Sequence, residues 1–359
     1  MLPAIPLCLE WLDVPVNSTS GAAHGNFVAV GTTDPDIEIW DLDVVDSMFP
    51  NAILGAGGDE KAAKKAKKKK KRANDKYHVG AVQALSGNRQ HRNLLASGSA
   101  DKTLKLWDLT TTKCVKSYDY HTDQVCTLAW HPKEATSILS GSYDHTIVWA
   151  DMRAPDAKQP RWGVESDVEM VKWDQHNTNY FYVSTEAGLV HFYDTRNVPA
   201  TPAEGKPVWT LQAHDKAVSS FDINPIIPGF LATGSMDKTV KLWNTQSTTG
   251  GPTMVVSRDM DVGKVFSCVF APDQEVGFRL SVAGSKGLVT VWDTSTNPGV
   301  RRTFADRTKF REVDPAKEDR TVMAGRADSD DESDDSEDDE EMGEDAHSGD
   351  EHPDGWESN

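Results

Sequence analysis

Two short β-favouring runs recur along this chain, each pair separated by a tight polar turn. The clearest copy reads Leu94-Leu95-Ala96-Ser97-Gly98, then the turn Ser99-Ala100-Asp101-Lys102, then Thr103-Leu104-Lys105-Leu106-Trp107-Asp108. Branched and aromatic residues flank turn formers, which predicts an antiparallel hairpin. A near-duplicate spans Ala232 to Asn244, and weaker copies lie at Val28–Asp41, Leu139–Asp151, Val183–Asp194 and Val282–Asp293. The aromatic residue closing each copy falls at Trp40, Trp107, Trp149, Tyr193, Trp243 and Trp292, at spacings of 67, 42, 44, 50 and 49 residues. Such self-similarity predicts an all-β array of repeats, none able to bury its apolar face alone.

Composition sharpens this picture. The formal charge of −18 over 359 residues is carried by one end: residues 327–359 hold 17 Asp and Glu and no Lys or Arg. The rest is nearly neutral, so no uniformly acidic fold is implied. The four cysteines, Cys8, Cys114, Cys126 and Cys268, are scattered without a C-x-x-C pair, which argues against a zinc site or a disulfide framework. No apolar run approaches the roughly 20 residues that span a bilayer. The first residues carry Glu10 and Asp13 and no basic leader, unlike a signal peptide. A reducing, intracellular setting is the expectation. No Walker loop, Gly-rich dinucleotide turn or metal-ligand spacing is present, and the expectation is a chain that is not an enzyme and needs no cofactor.

A second pattern, His-x-x-x-Val, precedes the closing aromatic by about 29 residues at His78, His121 and His214. Together with the hairpins it resembles the WD40 repeat, whose four-stranded blades pack radially as a β-propeller. The resemblance implies structural tetrads of His, Ser or Thr, Asp and Trp. Two sets are complete: His78, Ser97, Asp101 and Trp107; and His214, Thr233, Asp237 and Trp243. His121, Ser140 and Asp144 form a third, but Ala150 stands where the Trp belongs, so either the strand bulges or the set lacks its Trp. In the fourth repeat Val164 and Ala187 replace the His and Asp, and in the sixth Asp261 and Gly287 do; packing alone is expected to hold those blades. A Ser-His-Asp catalytic triad is rejected, because a nucleophile is needed once and these sets repeat.

Residues Pro3–Trp11, Val28–Asp46, the Lys-rich stretch after them, Ser140–Asp144 and Ser257–Met260 are similar to the periodic tryptophan protein 1 family, in one register over roughly residues 1–300. Six repeats are visible, and they can close as six blades or leave a gap where a seventh belongs; the resemblance implies propeller strands ahead of Met1, and the expectation is a seven-bladed parent. The expected organisation is a propeller over 1–305, a disordered Lys-rich insertion at 55–76 and a disordered acidic tail at 306–359. The resemblance further implies a nuclear and nucleolar, non-catalytic scaffold in large-subunit ribosome assembly, with assembly factors and pre-rRNA as partners. Alternatives are a histone-binding propeller and a cullin-RING substrate receptor.

Lys64, Lys65, Lys67, Lys68, Lys69, Lys70, Lys71 and Arg72 form a basic run suited to nuclear import or to sequence-blind RNA contact. Propeller partners are expected on the face bearing Gly80, Gln124, Glu165, Lys216 and Lys264. Arg153 and Arg196 resemble adaptor-docking boxes of ligase receptors. Ser329, Ser333, Ser336 and Ser348 stand before acidic residues and suit an acidophilic kinase.

Overall fold

Each repeated hairpin supplies the middle two strands of one four-stranded antiparallel sheet, and six such sheets follow one another in the computed structural model. The structure describes residues 2, 4–16, 24–55, 76–246, 250–307 and 320–324. Blade 1 is built of β1 (Pro6–Leu12), β2 (Phe27–Thr32), β3 (Ile37–Asp41) and β4 (Ala52–Leu54). Blade 2 follows with β5 (Val82–Gly87), β6 (Leu94–Ser99), β7 (Leu104–Asp108) and β8 (Lys113–Tyr118). Blade 3 uses β9 (Val125–Trp130), β10 (Ser137–Ser142), β11 (Thr146–Asp151) and β12 (Arg161–Gly163). Blade 4 uses β13 (Val168–Trp173), β14 (Tyr180–Thr185), β15 (Leu189–Asp194) and β16 (Trp209–Gln212). In blade 5 the strands are β17 (Ser220–Ile223), β18 (Phe230–Gly234), β19 (Thr239–Asn244) and β20 (Thr253–Asp259). Blade 6 has β21 (Val265–Phe270), β22 (Arg279–Gly284), β23 (Val289–Asp293) and β24 (Thr321–Ala324).

The last strand moves a boundary. The propeller was expected to end at residue 305, yet β24 pairs along β23, Thr321 opposite Trp292 and Ala324 opposite Val289. The first compact unit therefore runs to Arg326. Between the two strands lies helix α1 (Pro298–Phe304), whose Asn297 side chain accepts the Gly299 N–H at 2.8 Å. Val300 and Phe304 are fully buried, the Phe304 ring 4.2 Å from that of Phe230 in blade 5. Arg307 then donates to the Pro228 carbonyl and Asn244 Oδ1, at 2.8 and 2.9 Å.

The core lies between blades, so what lets blades approach determines the fold. At one register on the second strand the residue is small: Gly31, Gly98, Gly141 and Gly234. A Cβ on Gly98 would stand 2.7 Å from Val125 Cγ1 of the following blade, and one on Gly141 2.6 Å from Val168 Cγ1. Glycine is required there by close approach. Blade 4 breaks the rule with Ser184, fully buried and with its Oγ lacking a hydrogen-bond partner.

Trp residues near the end of the first strands add a directional link. Trp130 Nε1–H donates to the Ser86 carbonyl of blade 2 at 2.9 Å, and Trp173 Nε1–H to the Ala129 carbonyl of blade 3 at 3.1 Å. Trp11 holds the same register in blade 1 but donates to Asn26 within its own blade. It is 49% exposed, against 9% for Trp130 and 4% for Trp173. Leu7 and Leu9 are exposed beside it, and in blade 6 so are Phe266 and Val269. Their counterparts Cys126 and Ala129 pack on the next blade. First strands touch in succession from blade 1 to blade 6, while among the described residues no comparable packing joins blade 6 to blade 1. The array has a seam.

Two substitutions test this packing in opposite directions. Gly141→Ala forces a methyl into Val168 and should destabilise the fold by about 1–3 kcal/mol. Ser184→Ala removes an unsatisfied buried hydroxyl and should stabilise it by about 1 kcal/mol. Urea denaturation of both variants reads the two signs; a stabilising Gly141→Ala would contradict the close-approach argument.

Candidate functional site

Asp101, Lys102 and Thr103 illustrate how sequence places a polar network. Lys102 takes φ 71°, a left-handed turn position, and the Asp101 carboxylate turns back to accept from the Thr103 N–H at 3.0 Å and its hydroxyl at 2.6 Å. Its other oxygen meets His78 Nδ1 and the Val79 N–H, both at 2.9 Å. His78 Nε2 lies 2.7 Å from Ser97 Oγ, which accepts from Trp107 Nε1–H at 2.8 Å. One proton assignment satisfies the line throughout: indole to hydroxyl, hydroxyl to imidazole, imidazole to carboxylate.

Blade 5 repeats it. His214 bridges Asp237 at 2.7 Å and Thr233 at 2.8 Å, and Trp243 Nε1–H donates to Thr233 Oγ1 at 2.9 Å. In blade 3, His121 bridges Ser140 at 2.8 Å and Asp144 at 3.1 Å. There Ala150 takes the Trp position with the β10–β11 register unbroken, so the bulge alternative is wrong. Trp149 points to the other face, where its Nε1–H donates to Ser137 Oγ and its edge meets Trp173 at 6.0 Å.

Blade 4 corrects a second expectation. It is held by more than packing, because Glu165 substitutes for the missing Asp. Its carboxylate accepts from Thr185 Oγ1 at 3.1 Å and meets His191 Nε2 at 3.0 Å, while His191 Nδ1 pairs with Thr210 Oγ1 at 3.0 Å. Glu165 comes from the connection into β13 and His191 from β15, a spacing unlike the tetrads. Nothing in the repeat pattern exposes it. In blade 6 the Trp292 Nε1–H is buried without a partner, and the Arg258 guanidinium lies 5.0 Å over the Trp292 ring.

The electrostatics match a structural role. Burial opposes charge on Asp101, yet hydrogen bonds from His78, Thr103 and Val79 hold its carboxyl well below the usual range. Burial also outweighs the Asp partners at His78 and His214 and lowers both imidazoles, favouring the neutral ring. Cys268 is fully buried and pushed up to about 12 by desolvation, so its thiol is not a thiolate at neutral pH.

The other sequence candidates separate. Gly80, Gln124, Glu165, Lys216 and Lys264 do lie on one face, where the connections into each first strand bond to the hairpin turns, as Ala100 N–H to Ala81 O and Ser285 N–H to Lys264 O. Gln124 accepts from Gln83 Nε2 at 2.7 Å, and Lys216 is exposed. Glu165 pairs with the buried His191 while its own side chain stays exposed, and Gly80 presses on Ala100 and Asp101. On that face Glu169 is raised by burial and by Glu186 and Asp167. Arg153 and Arg196 are clamped alike, each guanidinium on the Asp two residues earlier at 2.7 and 2.6 Å. Lys64, Lys65, Lys67, Lys68, Lys69, Lys70, Lys71 and Arg72, and Ser329, Ser333, Ser336 and Ser348, lie outside the described residues. Among the described residues no His, Cys, Asp and Glu group could hold a metal, and no helix is long and apolar enough to cross a membrane. An ion pair the repeat pattern did not reveal, Lys172 to Asp222 at 2.8 Å, ties blade 4 to blade 5.

The WD domain, G-beta repeat model matches residues 72–108, 112–149 and 205–244. An uncharacterized WD repeat-containing protein of Schizosaccharomyces pombe is 51% identical over 92% of this chain. Periodic tryptophan protein 1 of Saccharomyces cerevisiae is 38% identical over 99% of it, and the Drosophila melanogaster periodic tryptophan protein 1 homolog 31% over 85%. The chain spans 62%, 64% and 62% of the lengths of these relatives.

Both imidazole pKa values and the Asp101 pKa are depressed on folding, so all three groups contribute stability at neutral pH and lose it on acidification. His78 and His214 lose theirs first, as pH falls below the unfolded value of about 6.5, and Asp101 follows below about 3.9. The melting temperature should therefore hold steady above neutrality and fall between pH 7 and pH 5. Ser97→Ala, which strands His78 Nε2 and Trp107 Nε1, should cost about 2–3 kcal/mol, measured by urea titration; a cost near zero would remove the network from the account.

Proposed function

The chain belongs to the periodic tryptophan protein 1 family of WD-repeat proteins, and from that premise we propose that it is a non-catalytic scaffold in nucleolar assembly of the large ribosomal subunit. One observation carries the non-catalytic part. The only Ser-His-Asp constellations found among the described residues spend each side chain on holding a turn or a neighbouring strand. The hydroxyls that would have to act as nucleophiles, Ser97 and Thr233, are fully buried and each accepts a Trp indole N–H, so no substrate can reach them. What the blades offer instead is a rigid face of loops, and such faces bind proteins. The assembly role, pre-rRNA and assembly-factor partners, and nuclear and nucleolar location come from the family resemblance; the basic run Lys64–Arg72 supplies the chemistry for import or phosphate contact.

The seam supports a second element of the proposal: a seventh four-stranded sheet fills it. The indole of Trp11 has the register of Trp130 and Trp173, but among the described residues it meets no carbonyl of a preceding blade. A sheet carrying such a carbonyl, apolar on both faces, would cover Leu9 and Trp11 on one side and Phe266 and Val269 on the other.

Tagged protein purified from its own cells should sediment with pre-ribosomal particles and bring down large-subunit assembly factors. Loss of these after RNase would assign the contact to the basic run, and recovery of histones or ligase adaptors without particles would contradict the scaffold. The seam makes its own prediction. The isolated chain should self-associate with concentration in analytical ultracentrifugation, and Leu9→Asp should reduce that association. A monomer at all concentrations with one cooperative melt would argue against an open face.

A further inference from the structure

Between β3 and β4 the chain takes ten residues, Leu42 to Asn51, where blade 2 makes the equivalent connection in four. The longer loop is apolar where loops are ordinarily polar. Val45 and Met48 are each 84% exposed and Phe49 76%, with Leu42 and Val44 more than half exposed. Single exposed apolar residues are common on protein surfaces; five within eight residues mark an interaction site.

Hydrogen bonds fix the loop. The Leu42 N–H donates to the Asn26 carbonyl at 2.9 Å, Asn26 Nδ2–H to Asp43 Oδ1 at 2.8 Å, and the Asp43 N–H to Asp41 Oδ1 at 2.9 Å. Ser47 Oγ–H donates to the Phe49 carbonyl at 2.7 Å, the Asn51 N–H donates to Ile39 O at 2.7 Å, and Asp46 sits at φ 58°. Tethering at both ends limits the ordering cost of binding.

Blade packing accounts for only one of the five side chains. Leu42 corresponds to Leu109, which is fully buried against blade 1, so Leu42 belongs to the seam. Val44, Val45, Met48 and Phe49 have no counterpart in Leu109-Thr110-Thr111-Thr112. The charge around them has one sign. Asp41, Asp43 and Asp46 interleave the apolar residues, with no Lys or Arg from residue 38 to 55. The ion pairs of this blade are made elsewhere, by Glu10 with Arg89 and Asp13 with Arg92. An anionic lipid surface would repel such a loop.

We propose that loop Leu42–Asn51 docks into a partner protein that presents an apolar groove rimmed by Lys or Arg. Val45, Met48 and Phe49 are its anchors, and Asp46 pairs with the rim. The anchors supply buried area, and the carboxylate supplies orientation and discrimination. The loop leaves blade 1 by a connection between third and fourth strands, so it is on the opposite face from Gln124 and Lys216 and can be occupied independently of them.

A photo-crosslinking amino acid at Met48 of the full chain, expressed in its own cells, tests this. The expected product is a crosslink to one other protein, mapped by mass spectrometry to apolar residues flanked by Lys or Arg. Asp46→Lys or Phe49→Ala should reduce its yield about tenfold, with an unchanged melting temperature, and the same crosslinker at Thr111 should not form it. Crosslinks confined to this chain, to a second copy of it, or to a surface without basic residues would overturn the proposal, as would no crosslink at all.

Discussion

A four-stranded blade has two apolar faces and can cover neither, so each blade completes its core against the next. The tightest of these contacts is a glycine on one blade facing a valine on the following one, as at Gly98 and Val125 or Gly141 and Val168. A methyl group at either glycine would hold the sheets apart and open voids along the whole interface. Everything else in the fold depends on this approach. It brings Trp130 and Trp173 to their neighbours' carbonyls, and it sets the inter-blade bond from Cys126 Sγ–H to Val168 O. It also explains why Trp11, which packs against no blade across the seam among the described residues, is exposed.

The polar networks are a second layer that sits on the first. His78, His121 and His214 each tie a connecting loop to a hairpin turn, so the loop face is rigid where blades 2, 3 and 5 meet it. Blade 4 reaches the same end through Glu165 and His191, which come from a different loop position and a different strand. Among the described residues blade 6 shows neither device, and its apolar cluster is larger and includes Val300 and Phe304 of α1. A family fold thus tolerates loss of a tetrad when other groups bridge the same turn or enlarge the same core.

Much of this is written in local spacing. His78, Ser97, Asp101 and Trp107 keep their intervals because a hairpin of fixed length separates them, so the tetrads and the all-β repeat are legible without coordinates. What the pattern hides has a physical cause in each case. Trp149 and Ala150 differ by one position, and in a strand one position means the opposite face. Glu165 and His191 belong to no repeat motif. The strand Thr321–Ala324 is short and separated from its partner by a helix, so it carries little period-two signal. The loop from Leu42 to Asn51 carries apolar residues that sequence alone would assign to a core; only their exposure shows otherwise.

The central claim is that stability passes from blade to blade and stops at the seam. Hydrogen–deuterium exchange of the isolated chain reads that directly, since amides protected only by an incomplete interface open more easily. The account predicts strong protection in the first strands of blades 2 to 5, with faster exchange in Pro6–Leu12 and Val265–Phe270. Equal protection of all six first strands would contradict it.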